Sequence, residues 1–339
     1  MSLNVLGGRI QSAEVVMRKI VPVLGILAVL ALGFSQTVSA QSGPRPEVIY
    51  GDDNRVDYYQ IPTPFLKGLA DSTVGLFEGG NVRIDPSGKV ANLTTESYGD
   101  SYNLCSDEPF RDQFSGAFCS GSLVAPDIIM TAGHCVRTEA ACQGTKFVFG
   151  FGVTQKGVNP DSVAASEVYG CTKIIAREEE GEGADFALVK LDRPVKNHKV
   201  LAINRAGTPA KGTPLFVIGH PAGLPTKLAG GAWVRDPSPS GYFVANLDTY
   251  GGNSGSAVFN ATSGKVEGIL VRGENDFVWD SARSCRKSNQ CENEGCRGED
   301  VTKLDALSSF IPQQGLAATF VEPGAAFSSL LKMSNTDLQ

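Results

Sequence analysis

Short runs of strand-forming residues, separated by Gly, Pro, Asn and Asp, recur from Thr73 onward. β-Branched and aromatic residues favour strands, and the intervening residues favour tight turns. The long helical runs that parallel βαβ units need between strands are lacking, so we expect an all-β barrel or sandwich. The predicted strands are Val74–Phe77, Ala117–Leu123, Ile128–Thr131, Lys146–Phe149, Phe186–Leu191, Leu215–Ile218, Tyr242–Leu247, Ser256–Phe259, Val266–Val271 and Val301–Leu304.

The chain has 339 residues, of which 42% are hydrophobic, enough for one large core or two medium ones. Its net charge of -6 offers no basic patch for nucleic acid. We therefore expect no nucleic-acid partner and no membrane partner once any signal segment is removed. We also expect a monomer that needs no cofactor.

Residues 1–40 have the features of a secretory signal peptide. Arg18 and Lys19 precede the apolar run Ile20–Phe34, and the small residues Val38–Ala40 suit cleavage before Gln41. An uncleaved membrane anchor is the alternative, but the run is short for a membrane span. We expect a secreted protein, extracellular or periplasmic. Residues 41–70 follow as an extended leader or pro-segment, because their first part is rich in Pro, Asp and Gly.

All eight cysteines lie after the predicted cleavage point, and an even number in an exported chain predicts disulfides. Three of them, at positions 285, 291 and 296, fall in a polar loop over residues 274–300. Zinc is the alternative for this group, but its spacing matches no tight ligand pair. We expect no metal site.

Ser254 is the candidate nucleophile. It lies in the segment Asn246–Phe259, flanked by Gly251, Gly252 and Gly255. Glycine lets the backbone bend sharply and leaves space for a ligand. A predicted strand follows directly, which would fix the serine on a rigid scaffold. An ordinary glycine turn is the alternative, so the prediction depends on finding a base and a buried carboxylate.

His134 is the candidate base, because it directly follows the predicted strand Ile128–Thr131. A lone histidine is more often structural than catalytic. Here Cys119 and Cys135 flank the strand pair, and a disulfide between them would clamp the loop that carries the imidazole. Such rigid support suits a general base.

Asp185 opens the apolar strand Phe186–Leu191, where its carboxylate would be buried and would need a partner. An imidazole N–H satisfies that need and fixes the histidine tautomer. Ser254 would then be deprotonated by His134, which Asp185 orients. The backbone N–H groups of Gly252 and Ser254 would stabilise the oxyanion.

Together these segments resemble the chymotrypsin-fold serine peptidases, in the order His, Asp, Ser. The resemblance covers roughly residues 70–311 and rests on Phe118–Val124, Thr131–Cys135, Asp185–Leu188 and Gly252–Gly255. It implies two six-stranded antiparallel β-barrels with the triad between them. We place the N-terminal barrel at 71–195 and the C-terminal barrel at 196–311. A short helix from Asp305 closes the second barrel, and 312–339 form a tail.

Three segments are similar to the bacterial glutamyl endopeptidases: Val48–Arg55, Gly219–Pro221 and Thr249–Ser256. By that likeness the mature chain would begin at Val48, after a cut behind Glu47. N-terminal sequencing checks this hypothesis, since an active form beginning at Gln41 would contradict it. The residue before the nucleophile is Asn253, which has no charge, so the trypsin-type activation ion pair should be absent.

Specificity is where the chain departs from those relatives. Thr249 matches the glutamyl enzymes, but Leu270 stands where they carry the histidine that recognises glutamate. Asp248 lies six residues before Ser254, where trypsin-like enzymes hold the carboxylate of the specificity pocket. Glu299 could also reach that pocket, to which we also assign Gly273. A buried carboxylate favours an Arg or Lys side chain in the substrate.

The resemblance and the residues together predict a secreted serine endopeptidase that cleaves after Arg or Lys. A glutamate-preferring peptidase of the same fold is one alternative, and a non-catalytic binding protein on a protease scaffold is another. A pairing of Asp248 with Arg272 would leave the pocket neutral and weaken the basic preference.

Overall fold

The computed structural model describes residues 48–313. The predicted signal peptide, residues 41–47 and most of the predicted tail lie outside the described residues. No helix between residues 48 and 313 has the length and hydrophobicity to span a bilayer.

Strands dominate the described part of the chain. Those of the first half are β1 (Ile49–Tyr50), β2 (Arg55–Asp57), β3 (Thr73–Glu78), β4 (Val82–Ile84), β5 (Val90–Leu93), β6 (Glu96–Ser97), β7 (Phe114–Ser115), β8 (Cys119–Ala125), β9 (Ile128–Thr131), β10 (Thr145–Phe149), β11 (Ser162–Ala164), β12 (Val168–Glu179) and β13 (Asp185–Leu191). Those of the second half are β14 (Pro214–Gly219), β15 (Lys227–Asp236), β16 (Tyr242–Ala245), β17 (Ala257–Asn260), β18 (Val266–Arg272), β19 (Phe277–Asp280), β20 (Cys285–Ser288), β21 (Gln290–Cys291) and β22 (Glu299–Lys303).

Helices in the described residues are short. The α-helices are α1 (Pro64–Ala70), α2 (Tyr98–Ser101) and α3 (Glu139–Gly144). The 3-10 helices are Tyr58–Gln60, Gly79–Asn81, Ala165–Glu167, Pro221–Gly223, Leu304–Ala306 and Ser308–Phe310. The last two replace the single predicted C-terminal helix, and Lys303 rather than Asp305 caps the first of them.

The first barrel is closed by six antiparallel strands in the order β3-β8-β9-β13-β12-β10. β14-β17-β18-β22-β16-β15 form a second ring, which the pairing of β14 with β15 closes. The predicted pair of six-stranded antiparallel barrels is therefore confirmed. Apolar side chains fill the rings, because alternate residues of each strand point inward.

Two barrel strands were missed by the sequence pattern. β12 carries polar residues along its length and ends in Glu178 and Glu179, so it lacks the apolar run that predicts a strand. Glu179 pairs with Arg137 at 2.9 Å. β15 contains the consecutive glycines Gly230 and Gly231, which in the sequence predict a turn rather than a strand. Long-range pairing outweighed local preference in both strands.

The predicted leader over residues 41–70 needs correction from Val48 onward, because that part is folded. Val48, Ile49 and Tyr50 are buried, and β2 adds an antiparallel strand to the edge of β15. Helix α1 follows, with Pro64 in its first turn and the Thr63 hydroxyl accepting from the Leu66 N–H. Residues 48–70 therefore belong to the folded domain.

All eight cysteines form disulfides, as predicted. The pairs are Cys105–Cys285, Cys119–Cys135, Cys142–Cys171 and Cys291–Cys296. Two of these bonds hold the predicted polar loop 274–300, which contains the hairpin β19-β20 and the short strand β21. β21 runs parallel to β1, so this loop packs against the start of the folded chain.

Candidate active site

His134 and Asp185 form a buried hydrogen-bonded pair. The Nδ1 atom of His134 lies 2.8 Å from Oδ2 of Asp185, and the His134 backbone N–H donates to Oδ1 over 3.1 Å. Asp185 has no exposed surface. A carboxylate that binds both the ring and the backbone of one residue fixes the orientation of that ring. Nδ1 then carries the proton, and Nε2 is left as the base.

Asp185 is itself held by the second barrel. Its backbone N–H donates to the Thr302 hydroxyl over 3.1 Å, and that hydroxyl donates to the Asp185 carbonyl at 3.0 Å. Thr302 lies on β22. The acid of the pair is thereby tied to both barrels, which limits its movement.

The loop that carries His134 is supported from two sides. The disulfide Cys119–Cys135 joins it to β8, and the Arg177 guanidinium donates to the carbonyl of Gly133 at 2.8 Å. A Cβ at Gly133 would lie 2.1 Å from the carbonyl oxygen of Glu178, so only glycine fits there. This close packing fixes the base relative to its scaffold.

Ser254 lies on the loop between β16 and β17. Its carbonyl accepts from the Ser120 N–H at 2.9 Å and lies 3.6 Å from Sγ of Cys135. The nucleophile loop therefore packs on the disulfide beside His134. The next residue, Gly255, has φ +94°, and a Cβ there would lie 2.0 Å from the Ser120 carbonyl oxygen.

Ser254 Oγ and His134 Nε2 are both buried, and neither has a hydrogen-bond partner among the described residues. By contrast, His134 Nδ1 and both carboxylate oxygens of Asp185 are hydrogen-bonded. A nucleophile and base left open in this way suit a site in which the substrate completes the hydrogen bonds, since catalytic contacts tighten when substrate binds.

Two backbone N–H groups of the serine loop also lack a hydrogen-bond acceptor among the described residues. Within the described chain, the N–H groups of Gly252 and Ser254 have no acceptor, whereas that of Asn253 donates to the Tyr250 carbonyl at 2.9 Å. Gly252 has φ +102° and packs against the Gly223 backbone, where a Cβ would lie 2.8 Å from N. The Gly252 and Ser254 N–H groups, which lie on either side of Asn253 in the sequence, are therefore able to donate to an oxyanion.

Cys119, His134 and Cys135 also satisfy the distance criterion for a metal site, with donor atoms within 4.8 Å of one another. Both cysteines belong to one disulfide, and a disulfide sulfur is not a thiolate ligand. This cluster is therefore explained as the support of the histidine loop.

Residues 119–269 match the family model of the trypsin-like peptidase domain. The two barrels have the chymotrypsin fold, and this segment of the chain is similar to the trypsin-like peptidases. The match contains His134, Asp185 and Ser254, in the order found in the structure, and ends within β18. The predicted resemblance to this fold is therefore confirmed.

Two curated proteins are similar to this chain. A trypsin of Sarcophaga bullata is 32% identical over 116 residues, which are 33% of this chain and 42% of that protein. The thrombin-like enzyme acutin of Deinagkistrodon acutus is 25% identical over 186 residues, or 47% of this chain and 75% of that protein. The chain thus spans less than half of the length of the trypsin that it matches.

A solved structure of a Glu endopeptidase in complex with MPD is similar to 78% of this chain, and the similarity covers 97% of that structure's chain. The identity is 19% and the TM-score 0.45.

The predicted specificity residues differ in their contacts. Both carboxylate oxygens of Asp248 accept backbone N–H groups, from Tyr50 at 2.8 Å and from Asn54 at 2.9 Å. The alternative pairing with Arg272 is wrong, because Arg272 Nε binds Asp300 Oδ2 at 2.7 Å. Asp248 was expected to bind a basic side chain of the substrate, but its contacts in the structure are with the backbone of residues 50 and 54.

Of the other three residues, Leu270 contacts the serine loop and Thr249 belongs to it. Leu270 is buried in the apolar core of the second barrel, while its carbonyl accepts from the Gly255 N–H at 2.8 Å. Thr249 is buried, with its hydroxyl 3.5 Å from the Leu247 carbonyl oxygen. Gly273 packs directly on the Glu299 carboxylate, because a Cβ at Gly273 would lie 1.6 Å from Oε2.

Three supporting residues were missed in the sequence. Thr302 resembles any strand threonine, and Arg177 lies in a strand that had no clear signal. Ser120 donates its hydroxyl to the Gly252 carbonyl at 2.8 Å and so braces the nucleophile loop. Its position next to Cys119 is the signal that could have drawn attention to it.

Proposed function

We propose that this protein is a secreted serine endopeptidase that cleaves polypeptides after Arg or Lys. The observation that carries the proposal is the double contact between Asp185 and His134 beside an open Ser254 hydroxyl. Secretion is supported by the disulfides and by the signal-like N-terminus, since disulfides persist in oxidising compartments.

The chemistry follows from the positions of the groups. His134 Nε2 removes the proton of Ser254, whose Oγ attacks the scissile carbonyl carbon. The resulting oxyanion accepts from the Gly252 and Ser254 amides. The imidazolium then protonates the leaving amine, and the acyl-enzyme is formed. Water, deprotonated by the same nitrogen, releases the acid and restores the serine. No cofactor enters these steps.

Burial makes the Asp185 contact effective. The imidazolium forms next to a carboxylate that has no exposed surface, so water does not screen the attraction between the two charges. In the neutral ring, the same carboxylate holds the proton on Nδ1, so that Nε2 is the nitrogen with a free lone pair. Orientation and charge stabilisation thus come from one residue.

The preference for a basic residue rests on Glu299, which has no exposed surface and packs against the Cα of Gly273. Gly273 follows β18, whose Leu270 touches the serine loop through the backbone. The absence of a side chain at Gly273 leaves room for the Glu299 carboxylate, which supplies a counter-charge for a cationic substrate group. The apolar surroundings of Leu270 offer a glutamate substrate no comparable donor.

A panel of peptides that differ only in the residue before the scissile bond tests the function and its specificity together. We expect cleavage after Arg and Lys to exceed cleavage after Gln by roughly 30-fold or more, because a cationic side chain makes a charge-assisted contact with the Glu299 carboxylate that a neutral side chain does not make. In Glu299→Gln this ratio should fall to near one, because the counter-charge is removed while the shape is kept.

Glu267→Gln is the matched control, because Glu267 is a buried glutamate of the same barrel that binds Asn204 and Asn260 instead. Its ratio of cleavage after Arg to cleavage after Gln should equal that of the unmodified protein. Faster cleavage after Glu than after Arg would contradict the basic preference and favour the glutamyl alternative. Absence of cleavage at every residue would favour the non-catalytic alternative.

A further inference from the structure

The segment Val48–Arg55, which we name the N-terminal strap, is fastened to the loop that presents the nucleophile. It contacts Asp248 and Thr249, which precede the proposed oxyanion amides in the same loop. The Tyr50 N–H donates to Asp248 Oδ1 at 2.8 Å and the Asn54 N–H to Asp248 Oδ2 at 2.9 Å. The neighbouring Thr249 N–H donates to the Val48 carbonyl at 3.3 Å. Three hydrogen bonds thus connect the strap to two consecutive loop residues.

A second attachment follows at Tyr250. The Arg55 guanidinium, whose side chain is 1% exposed, lies 4.1 Å from the centre of the Tyr250 ring. Asp53 neutralises it through two hydrogen bonds of 2.8 and 2.7 Å. A stacked guanidinium with its charge paired locally gives a rigid contact, because its plane fits both the ring and the carboxylate.

The strap also reaches the strand that carries the proposed specificity carboxylate. The Tyr50 hydroxyl accepts from the Gly298 N–H at 2.9 Å, and Gly298 directly precedes Glu299. The backbone of Tyr50 therefore contacts the serine loop while its side chain contacts the start of β22. One strap residue connects the nucleophile loop with the specificity side of the site.

The residue before the nucleophile does not supply such an attachment. Asn253 is uncharged, and its side-chain oxygen accepts from the Ser256 hydroxyl at 3.2 Å within the same loop. An ion pair between this position and a free amino terminus is thus not available to shape the loop. The buried hydrogen bonds to Asp248 hold the same loop from a position five residues earlier.

We propose that the N-terminal strap holds the serine loop in its reactive conformation through Asp248, which makes Asp248 a positioning residue for the proposed peptidase reaction. The inference rests on the proposed function. It assigns the basic preference to Glu299 and gives Asp248 no selective contact with the substrate. The strap takes the place of an activating ion pair as the support of the oxyanion amides.

The environment of Asp248 agrees with this role. Burial raises the pKa of its carboxyl well above the usual range, and the negative charge of Asp53 acts in the same direction. The backbone donors of Tyr50 and Asn54 oppose that rise. A carboxyl group whose charged form is disfavoured by a neighbouring carboxylate is a poor counter-ion for a substrate cation, but it remains an effective acceptor for backbone amides.

Asp248→Asn tests the proposal, because its amide group places N–H donors against one of the two backbone donors. We expect kcat to fall by about tenfold to a hundredfold, equally for peptides with Arg, Lys or Gln before the scissile bond, with KM changed less than about twofold. Glu299→Gln is the comparison, since its loss should be confined to Arg and Lys. A fall in Asp248→Asn confined to Arg and Lys would overturn the proposal.

Hydrogen exchange supplies a readout independent of catalysis. In Asp248→Asn the amides of Tyr50 and Asn54 should exchange at least about fivefold faster than in the unmodified protein, while those of the first-barrel strand β9 are unchanged. Unchanged exchange in the strap would overturn the proposal. If no protein form cleaves any peptide, the proposed function fails, and the exchange result still decides whether Asp248 fastens the strap.

Arg55→Lys gives a second, milder variant for the case that Asp248→Asn does not fold. A lysine ammonium can pair with Asp53, but it lacks the planar guanidinium that packs on the Tyr250 ring at the same time. A decrease in kcat that is uniform across Arg, Lys and Gln peptides supports the strap. A decrease that depends on the peptide, or none, would overturn it.

Discussion

The Asp185 carboxylate uses both of its oxygens on His134, one on the ring and one on the backbone. This double contact is possible because Gly133, next to His134, packs against the Glu178 backbone, where any side chain would clash. A residue that looks like a simple spacer in the sequence therefore determines the orientation of the base. The reactivity of each group depends on its neighbours as much as on its own chemistry.

His220 is a second buried histidine, with a structural role. It stacks near Phe151, and its Nδ1 lies 2.9 Å from the Leu224 carbonyl oxygen. Burial lowers the pKa of His220 to about 4, with the charge of Lys227 adding to the effect. Because the ring stays neutral, Nδ1–H donates to Leu224 and holds the turn beside the serine loop.

The His220 pKa predicts how stability depends on pH. An unfolded histidine binds a proton near pH 6.5, whereas the folded one stays neutral down to about pH 4. The unfolded state therefore binds more protons between these values, and the free energy of unfolding falls as the pH is lowered through this window. The slope from this group is about 1.4 kcal/mol per pH unit, or roughly 3 kcal/mol in all.

Denaturant unfolding at several pH values between 4 and 7 measures this effect. The non-titrating variant His220→Asn should lose less free energy of unfolding over that range than the unmodified protein, whatever its stability at pH 7. Equal pH dependence in the two proteins would contradict the buried neutral state of His220.

His134, Asp185 and Ser254 could be proposed as a triad from the sequence because each lies in a local pattern: a histidine after a strand, an aspartate entering an apolar strand, and a serine among glycines. Asp248 and Glu299 could not be distinguished in the same way. Their roles depend on which backbone amides approach them, and those of Tyr50 and Asn54 come from almost 200 positions earlier. Sequence spacing holds no information on such contacts.

At the level of elements, the predicted strands correspond to barrel strands because their apolar runs are bounded by turn residues. β12 and β15 escaped prediction because polar residues or paired glycines interrupt them, and only their neighbours in the barrels make them strands. The strap escaped for a related reason. Its Gly and Asp residues indicate an extended leader until the loop and strands that it contacts are in place.

The two barrels each contribute part of the site. His134 and Asp185 belong to the first barrel and Ser254 to the second, while Thr302 of the second barrel holds Asp185 from behind. The reactive geometry therefore depends on how the barrels pack, and the Cys119–Cys135 disulfide beside the Ser254 carbonyl lies where they meet. The sequence order of the motifs predicted this arrangement, but the contacts that fix it required the folded chain.

The central claim is that Ser254 is a nucleophile activated by His134 and Asp185. Labelling by an organophosphonate, followed by intact-mass and peptide mass spectrometry, tests it most directly, because only an activated serine reacts readily. We predict one label per chain, located on Ser254, no label in Ser254→Ala, and labelling at least about a hundredfold slower in His134→Ala. Undiminished labelling of Ser254→Ala, or none in the unmodified protein, would contradict the account.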